Sequence, residues 1–272
     1  MNSIVKNISK KVNELDSLNF LSPAVIEIIN IIDKPETKLE DLIPLISLDR
    51  ILYTRIFKYL SSAAFGMRRP PEDLREAINY LGLQGLKDLI FLIASHTFFK
   101  EHDELYHNIF TAFCAKSLAE SLGYQPKETS QIYMAALICD LGVLLLKKKH
   151  KQEYSEIDAN ETLHGKVDLE NEKFGTNRIA MSYELLVNYG MPETVLRIVK
   201  NQENEWTSAN YHTENQLIDT AYELSYLDCA DELDLEYILN SPRSIEYKLN
   251  RIALTPKIIK TMHKQVSELA RF

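Results

Sequence analysis

Fifteen consecutive residues, Ile132 to Leu146, contain a single charge, Asp140, in a run that is otherwise apolar apart from the Tyr133 hydroxyl and Gly142. A carboxylate withdrawn from water without a partner costs several kcal/mol. Asp140 therefore demands a metal ion, a cation, hydrogen-bond donors or a proton. Which of these it has decides what the chain can do.

The rest of the chain reads as helix. Ser22-Pro23 opens a segment through Ile26, Ile29 and Ile32 that Pro35 closes, and Thr37 or Lys38 opens a shorter one. Asp49 is placed to cap Ile51 to Leu60, and Asp73 to launch Leu74 to Leu81. Gly82 then fits a position just past a helix end, before the long apolar stretch Leu83 to Phe99. Glu104 to Leu122 is amphipathic, and a helix over 129–146 carries Asp140. The segment Tyr154 to Phe174 is polar, whereas Arg178 to Tyr189, Glu193 to Glu203, Gln216 to Leu227 and a last helix from Thr255-Pro256 complete the series. No alternating strand pattern or hairpin signal competes, so the expected fold is all-α. The charged junction Lys100 to Asp103 divides an N-terminal helical subdomain, 1–100, from a helical bundle over 101–272.

Composition removes several function classes. With 31 basic and 39 acidic residues the net charge is −8, which argues against a broad nucleic-acid surface or an anionic membrane. No signal-peptide pattern opens the chain and no span is expected to reach membrane-crossing length, so a cytoplasmic location is expected. Cys114, Cys139 and Cys229 are too few and too scattered for a disulfide framework. Eight glycines leave little room for dinucleotide fingerprints, no phosphate loop is present, and no catalytic triad appears.

The order of short motifs resembles a known family. Tyr59 to Gly66, then Leu74-Arg75-Glu76-Ala77-Ile78 and Leu81-Gly82-Leu83, are similar to the signature of HDOD domains, relatives of the HD-type phosphohydrolases. His107 to Ala112 resembles the segment bearing the superfamily's first histidine, and Ala135 to Gly142 its His-Asp helix. Phe174-Gly175, Leu185-Leu186 and Met191-Pro192 resemble the next block. The resemblance runs from about Leu21 to Leu227 and implies an HD-type helical bundle preceded by an N-terminal helical subdomain.

The departures from the pattern bear on function. His107 matches the first histidine and Asp140 the aspartate, but Cys139 stands where the histidine of the His-Asp pair belongs. Arg178 falls where the next histidine is expected, Gln202-Glu203 where a His-His pair often stands, and Tyr222 near the final aspartate. Arginine cannot ligate a metal and glutamine rarely does. No bound metal or cofactor is therefore expected. His107, Cys139 and Asp140 together would suit zinc, but Cys139 also continues the stripe Ile132, Ala135, Cys139, Val143, Leu146, so its thiol is expected to pack. A guanidinium can replace a metal's charge, and the resemblance places Arg178 to pair in bidentate fashion with Asp140, with His107 adding a hydrogen bond. The competing arrangement sends Arg178 to solvent and leaves Asp140 to His107, a backbone amide or water.

These departures imply a non-catalytic signal-transduction module of regulatory or scaffolding type, with a signalling protein supplied in trans. A divergent metal-dependent phosphohydrolase acting on a nucleotide second messenger is the alternative. A third reading is a metal-free nucleotide-binding protein using Arg178 and the basic run Lys147 to Lys151. Phe65 and Met67, expected to be exposed, form with Arg68 and Arg69 a candidate contact loop, although helix packing also explains the small residues beside them. Trp206 is a further candidate anchor, or a cap on the core. The sequence names neither the partner nor the oligomeric state.

Overall fold

Twelve α-helices and one 3₁₀ turn make up the described part of the chain, which in this computed structural model comprises residues 22–32, 34, 36–99, 102–154, 157, 163–203, 213–226 and 256–271. No strand occurs among these residues. The expected caps at Pro35, Thr255 and the anchor Trp206 lie outside them.

Helices α1 (Pro23–Ile32), α2 (Leu39–Leu48) and α3 (Arg50–Leu60) pack against one another and on α4 (Leu74–Phe98). Their ends follow the local chemistry. Asp49 accepts from the Ile51 and Leu52 amides, and Asp73 accepts from the Glu76 amide, each side chain satisfying donors that the first helical turn leaves free. Gly82 interrupts α4 with φ 68°, a left-handed conformation in which a Cβ would be strained. The two halves of α4 thus match the two segments read from the sequence.

The second set comprises α5 (His102–Ser121), α6 (Pro126–Ile138), α7 (Gly142–Lys149), α8 (Leu163–Phe174), α9 (Arg178–Asn188), α10 (Glu193–Asn201), α11 (Thr213–Ser225) and α12 (Pro256–Leu269). Helix α5 is sandwiched between α6 and α11, and α4 lies across α6. One continuous apolar core joins the two sets. At their junction Asp88 of α4 accepts from Lys116 Nζ of α5 and Ser130 Oγ of α6, each at 2.5 Å, so a buried polar cluster fixes α4 on the bundle.

Two expectations are corrected. The helix over 129–146 is broken: α6 ends at Ile138, Cys139 to Leu141 form a turn, and α7 starts at Gly142. Tight bonds from the Leu141, Val143 and Leu144 amides to the carbonyls three residues earlier wind this corner. Contrary to the expectation about span length, Leu74–His96 and Pro126–Lys149 are long and apolar enough to cross a membrane by length and composition. Both are interrupted, at Gly82 and at Cys139 to Leu141, and the Pro126–Lys149 window is 89% buried in the protein, as core helices are.

Candidate functional site

Asp140 sits in the corner between α6 and α7, so its side chain is aimed by a turn. Gly142 makes that corner possible. Its amide donates to Ser182 Oγ of α9 at 2.7 Å, and the same hydroxyl donates to the Arg178 carbonyl. A Cβ on Gly142 would come 2.2 Å from that carbonyl oxygen and 2.7 Å from Met181 Cβ. Only a glycine lets the α7 and α9 backbones approach this closely, and the approach brings Arg178 to Asp140.

Arg178 is the first residue of α9, behind the Asn177 cap, whose side chain accepts from the Ala180 amide. It points inward and is 2% exposed. Its Nη1 stands 3.7 Å from Asp140 Oδ2, so the expected pair is present. The expected bidentate geometry is not: Nε donates to Glu170 Oε1 at 2.8 Å, the backbone amide donates to Glu170 Oε2 at 2.7 Å, and Nη2 donates to Tyr154 Oη at 2.7 Å. Tyr154 in turn donates to Glu170. Glu170, fully buried on α8, is thus the main partner of the guanidinium. It can be because α8 ends just before the turn that starts α9, which puts the carboxylate against the first amide of the new helix, where a helix dipole also favours negative charge.

Burial opposes the Arg178 charge, but Glu170, Tyr154, Tyr222 and Asp140 more than offset it and hold the group's pKa well above its ordinary value. Asp140 fares differently. Burial pushes its carboxyl up to about 6, with Arg178 and Lys166 pulling down and Glu104 and Glu170 pushing up. Among the described residues its Oδ1 accepts no hydrogen bond. Around it, Glu104 forms an ion pair with Lys147 of α7, and Lys166 of α8, 4% exposed, donates to Tyr226 Oη at 2.9 Å over the Tyr222 and Tyr226 rings.

His107 does not supply the hydrogen bond expected for Asp140. Its Nδ1 is bonded to Ser225 Oγ at 3.0 Å, and its ring stacks on Tyr226 with centroids 3.8 Å apart. The Cys139 thiol lies 3.7 Å from the Ala136 carbonyl, and burial, then Asp140 and Asp219, push its pKa well above the ordinary value. It packs as a neutral thiol. Gln202 is also buried: Nε2 donates to Asp219 Oδ1 and the Asn215 carbonyl, while Asn215 Nδ2 donates to Gln202 Oε1 at 2.7 Å, pinning α10 to α11. The neighbouring Glu203 accepts from Asn177 Nδ2. Asp219 stands one turn before Tyr222, so the buried carboxylate of α11 is there and not at the aligned tyrosine.

The residues do not suit the metal ions that the HD-type fold implies. Arg178 presents its guanidinium to Asp140, His107 and Cys139 are engaged elsewhere, and among the described residues no three His, Cys, Asp or Glu side chains converge as a ligand set. A guanidinium beside a carboxylate repels an incoming cation.

The contact loop is also revised. Phe65 and Met67 are half-buried and packed on the core, the Phe65 carbonyl accepts from Tyr80 Oη, and α12 packs against the Ala63–Phe65 turn. Arg69 is tied to Glu72 at 3.0 Å and Glu76 at 2.7 Å, while Arg68 is exposed.

Sequence reasoning missed Glu170, Tyr154, Lys166, Glu104 and Asp219. Glu170 and Lys166 lie on α8, in a polar segment with no apolar periodicity to mark a buried face. The one available signal was Arg178 itself, since a buried arginine requires a strong acceptor.

The helical order and this corner define a protein of the HD-type all-α class. The HDOD domain profile matches residues 18–205, and the chain belongs to the HDOD family. An HDOD domain protein of unknown function from Geobacter sulfurreducens superposes with a TM-score of 0.75 at 20% identity, covering 97% of this chain and 99% of that one. A presumed phosphohydrolase from Shewanella amazonensis SB2B gives 0.74 at 17% identity, with 96% and 97% covered. A presumed signal transduction protein from Marinobacter aquaeolei VT8 gives 0.64 at 16% identity, covering 93% of this chain and 61% of that one. An uncharacterised protein of Treponema pallidum is 25% identical over 200 residues; the match takes in 71% of this chain and 39% of that longer relative.

Proposed function

We propose that this HDOD protein is a non-catalytic signal-transduction module that acts in the cytoplasm by binding a signalling partner in trans. The observation that carries the reading is the cage of Glu170, Tyr154 and Asp140 around Arg178. A fixed, hydrogen-bonded cation stands beside the one carboxylate that a hydrolytic metal would need, and it cannot be deprotonated to make way. The engagement of His107 with Ser225 and Tyr226 and of Gln202 with Asp219 supports the same reading, since both aligned positions serve packing. Membership of the HDOD family and likeness to a presumed signal transduction protein agree with it.

The test is metal analysis of purified protein together with hydrolysis assays on cyclic dinucleotides and guanosine polyphosphates. Sub-stoichiometric metal and no turnover are expected. Stoichiometric metal whose removal abolishes turnover would overturn the proposal in favour of a divergent phosphohydrolase. A thermal-shift screen against nucleotides addresses a metal-free nucleotide site, for which a stabilisation that saturates with ligand is the signature.

A further inference from the structure

Helix α12 packs mainly on α5 and on the Ala63–Phe65 turn. It meets them through one stripe: Ile259, Val266 and Leu269 are buried and His263 half-buried, whereas Lys260 and Lys264 on the other side are exposed. His263 is the polar anchor. Its Nδ1 is hydrogen-bonded to Tyr106 Oη of α5, and its ring stacks on Phe110 with centroids 4.1 Å apart. Tyr106 and His263 lie 157 residues apart in the chain, while α5 is already held between α6 and α11. An element this remote that docks by one face belongs with the units that open locally before the fold does.

The seat under α12 has α5 as one wall and the Ala63–Phe65 turn as the other, a shape that takes one amphipathic helix. Phe65 is also the first residue of the candidate contact loop. A partner helix with the same apolar stripe fits the same seat, but it must displace a segment that binds intramolecularly and therefore at high effective concentration. We propose that the face formed by α5 and the Ala63–Phe65 turn is the partner-docking surface, that the partner presents an amphipathic helix, and that α12 occupies the seat in cis until it is displaced. This rests on the reading of the chain as a partner-binding module and gives that partner's chemistry. Metal and turnover assays test that reading separately, so the two can fail independently.

The experiment uses the full chain. In hydrogen exchange the α12 amides are expected to exchange together, about a hundredfold faster than those of α5 and α6, because α12 opens without the bundle. In Val266→Asp they should lose protection altogether while α5, α6 and α9 keep that of the parent. A fluorescent peptide of residues 256–271 should then bind the Val266→Asp chain at least about tenfold more tightly than the parent, where α12 competes in cis. The same peptide carrying Val266→Asp should bind neither. Exchange of α12 in step with α5 in the parent would overturn the proposal, as would loss of protection across the whole bundle in the variant, since α12 would then be integral to the fold. Equal binding of the peptide to both chains, or to neither, would overturn it too. A parent chain that sediments as a dimer dissociated by Val266→Asp would assign the seat to a second copy instead.

Discussion

Arg178 stands 3.7 Å from Asp140 but gives its hydrogen bonds to Glu170, so the two carboxylates that flank one guanidinium are not equivalent. Glu170 is fully buried and accepts two bonds from Arg178 and one from Tyr154. Asp140 keeps one oxygen without a hydrogen bond among the described residues. Removing either carboxylate therefore has opposite consequences.

Glu170→Gln leaves a buried guanidinium with its main countercharge gone. We expect a loss of about 3–5 kcal/mol in urea unfolding, a large part of a typical domain's stability. Glu170→Leu combined with Arg178→Met removes both charges and should recover most of that loss. A single Glu170→Gln variant as stable as the parent would contradict the assignment of Glu170 as the principal partner.

Asp140 sets a pH dependence of known sign. Its carboxyl titrates at 3.8 in an unstructured peptide and near 6 in the folded chain, so the folded state holds this proton more tightly. The stability conferred by the protonated form is fully present below about pH 3.8 and is lost as pH rises through about 6. At pH 7 the ionised, buried group costs on the order of 3 kcal/mol. Asp140→Asn should be close to the parent below about pH 3.8, gain on it as the pH rises from there to about 6, and keep that advantage above it. Urea unfolding of both proteins across that range checks this, and a difference that does not change with pH would refute it.

How much of this was legible in the sequence depends on whether the information is local. Asp49 and Asp73 cap the helices they were assigned to, and Gly82 breaks α4, because each acts through its own backbone. Asp140 was legible as an anomaly since one charge interrupts a long apolar run, and the substitution of Arg178 for a histidine pointed to the right cation. Its principal acceptor was not visible. Glu170 sits eight residues earlier across the Gly175 turn, in a helix whose surface residues hide the few that face inward. The corner at Cys139 was equally hidden, because its residues are apolar and continuous with both helices; what breaks the helix is the approach of α9, a tertiary contact.

The same approach makes Gly142 irreplaceable. Gly142→Ala places a methyl 2.2 Å from the Arg178 carbonyl oxygen, so α7 and α9 must separate. Overpacking of this kind costs about 1–3 kcal/mol. Ser182→Ala removes the acceptor of the buried Gly142 amide without adding bulk, and should cost about 1–3 kcal/mol. Calorimetric melting temperatures of the two variants test this, and a Gly142→Ala protein that melts with the parent would show that the two backbones are not in contact.

The thiol at the aligned histidine position should be inert. A metal-binding or catalytic cysteine reacts as thiolate, with a lowered pKa. Cys139 is 2% exposed, and burial, reinforced by Asp140 and Asp219, raises its pKa well above the ordinary value; burial alone raises Cys114 to about 12. Iodoacetamide at about pH 8 should leave both unmodified in the native protein and alkylate both after denaturation, as read by peptide mass spectrometry. Rapid native alkylation of Cys139 would mean an accessible thiolate beside Asp140, and the corner would then be a site of reactive chemistry in place of packing.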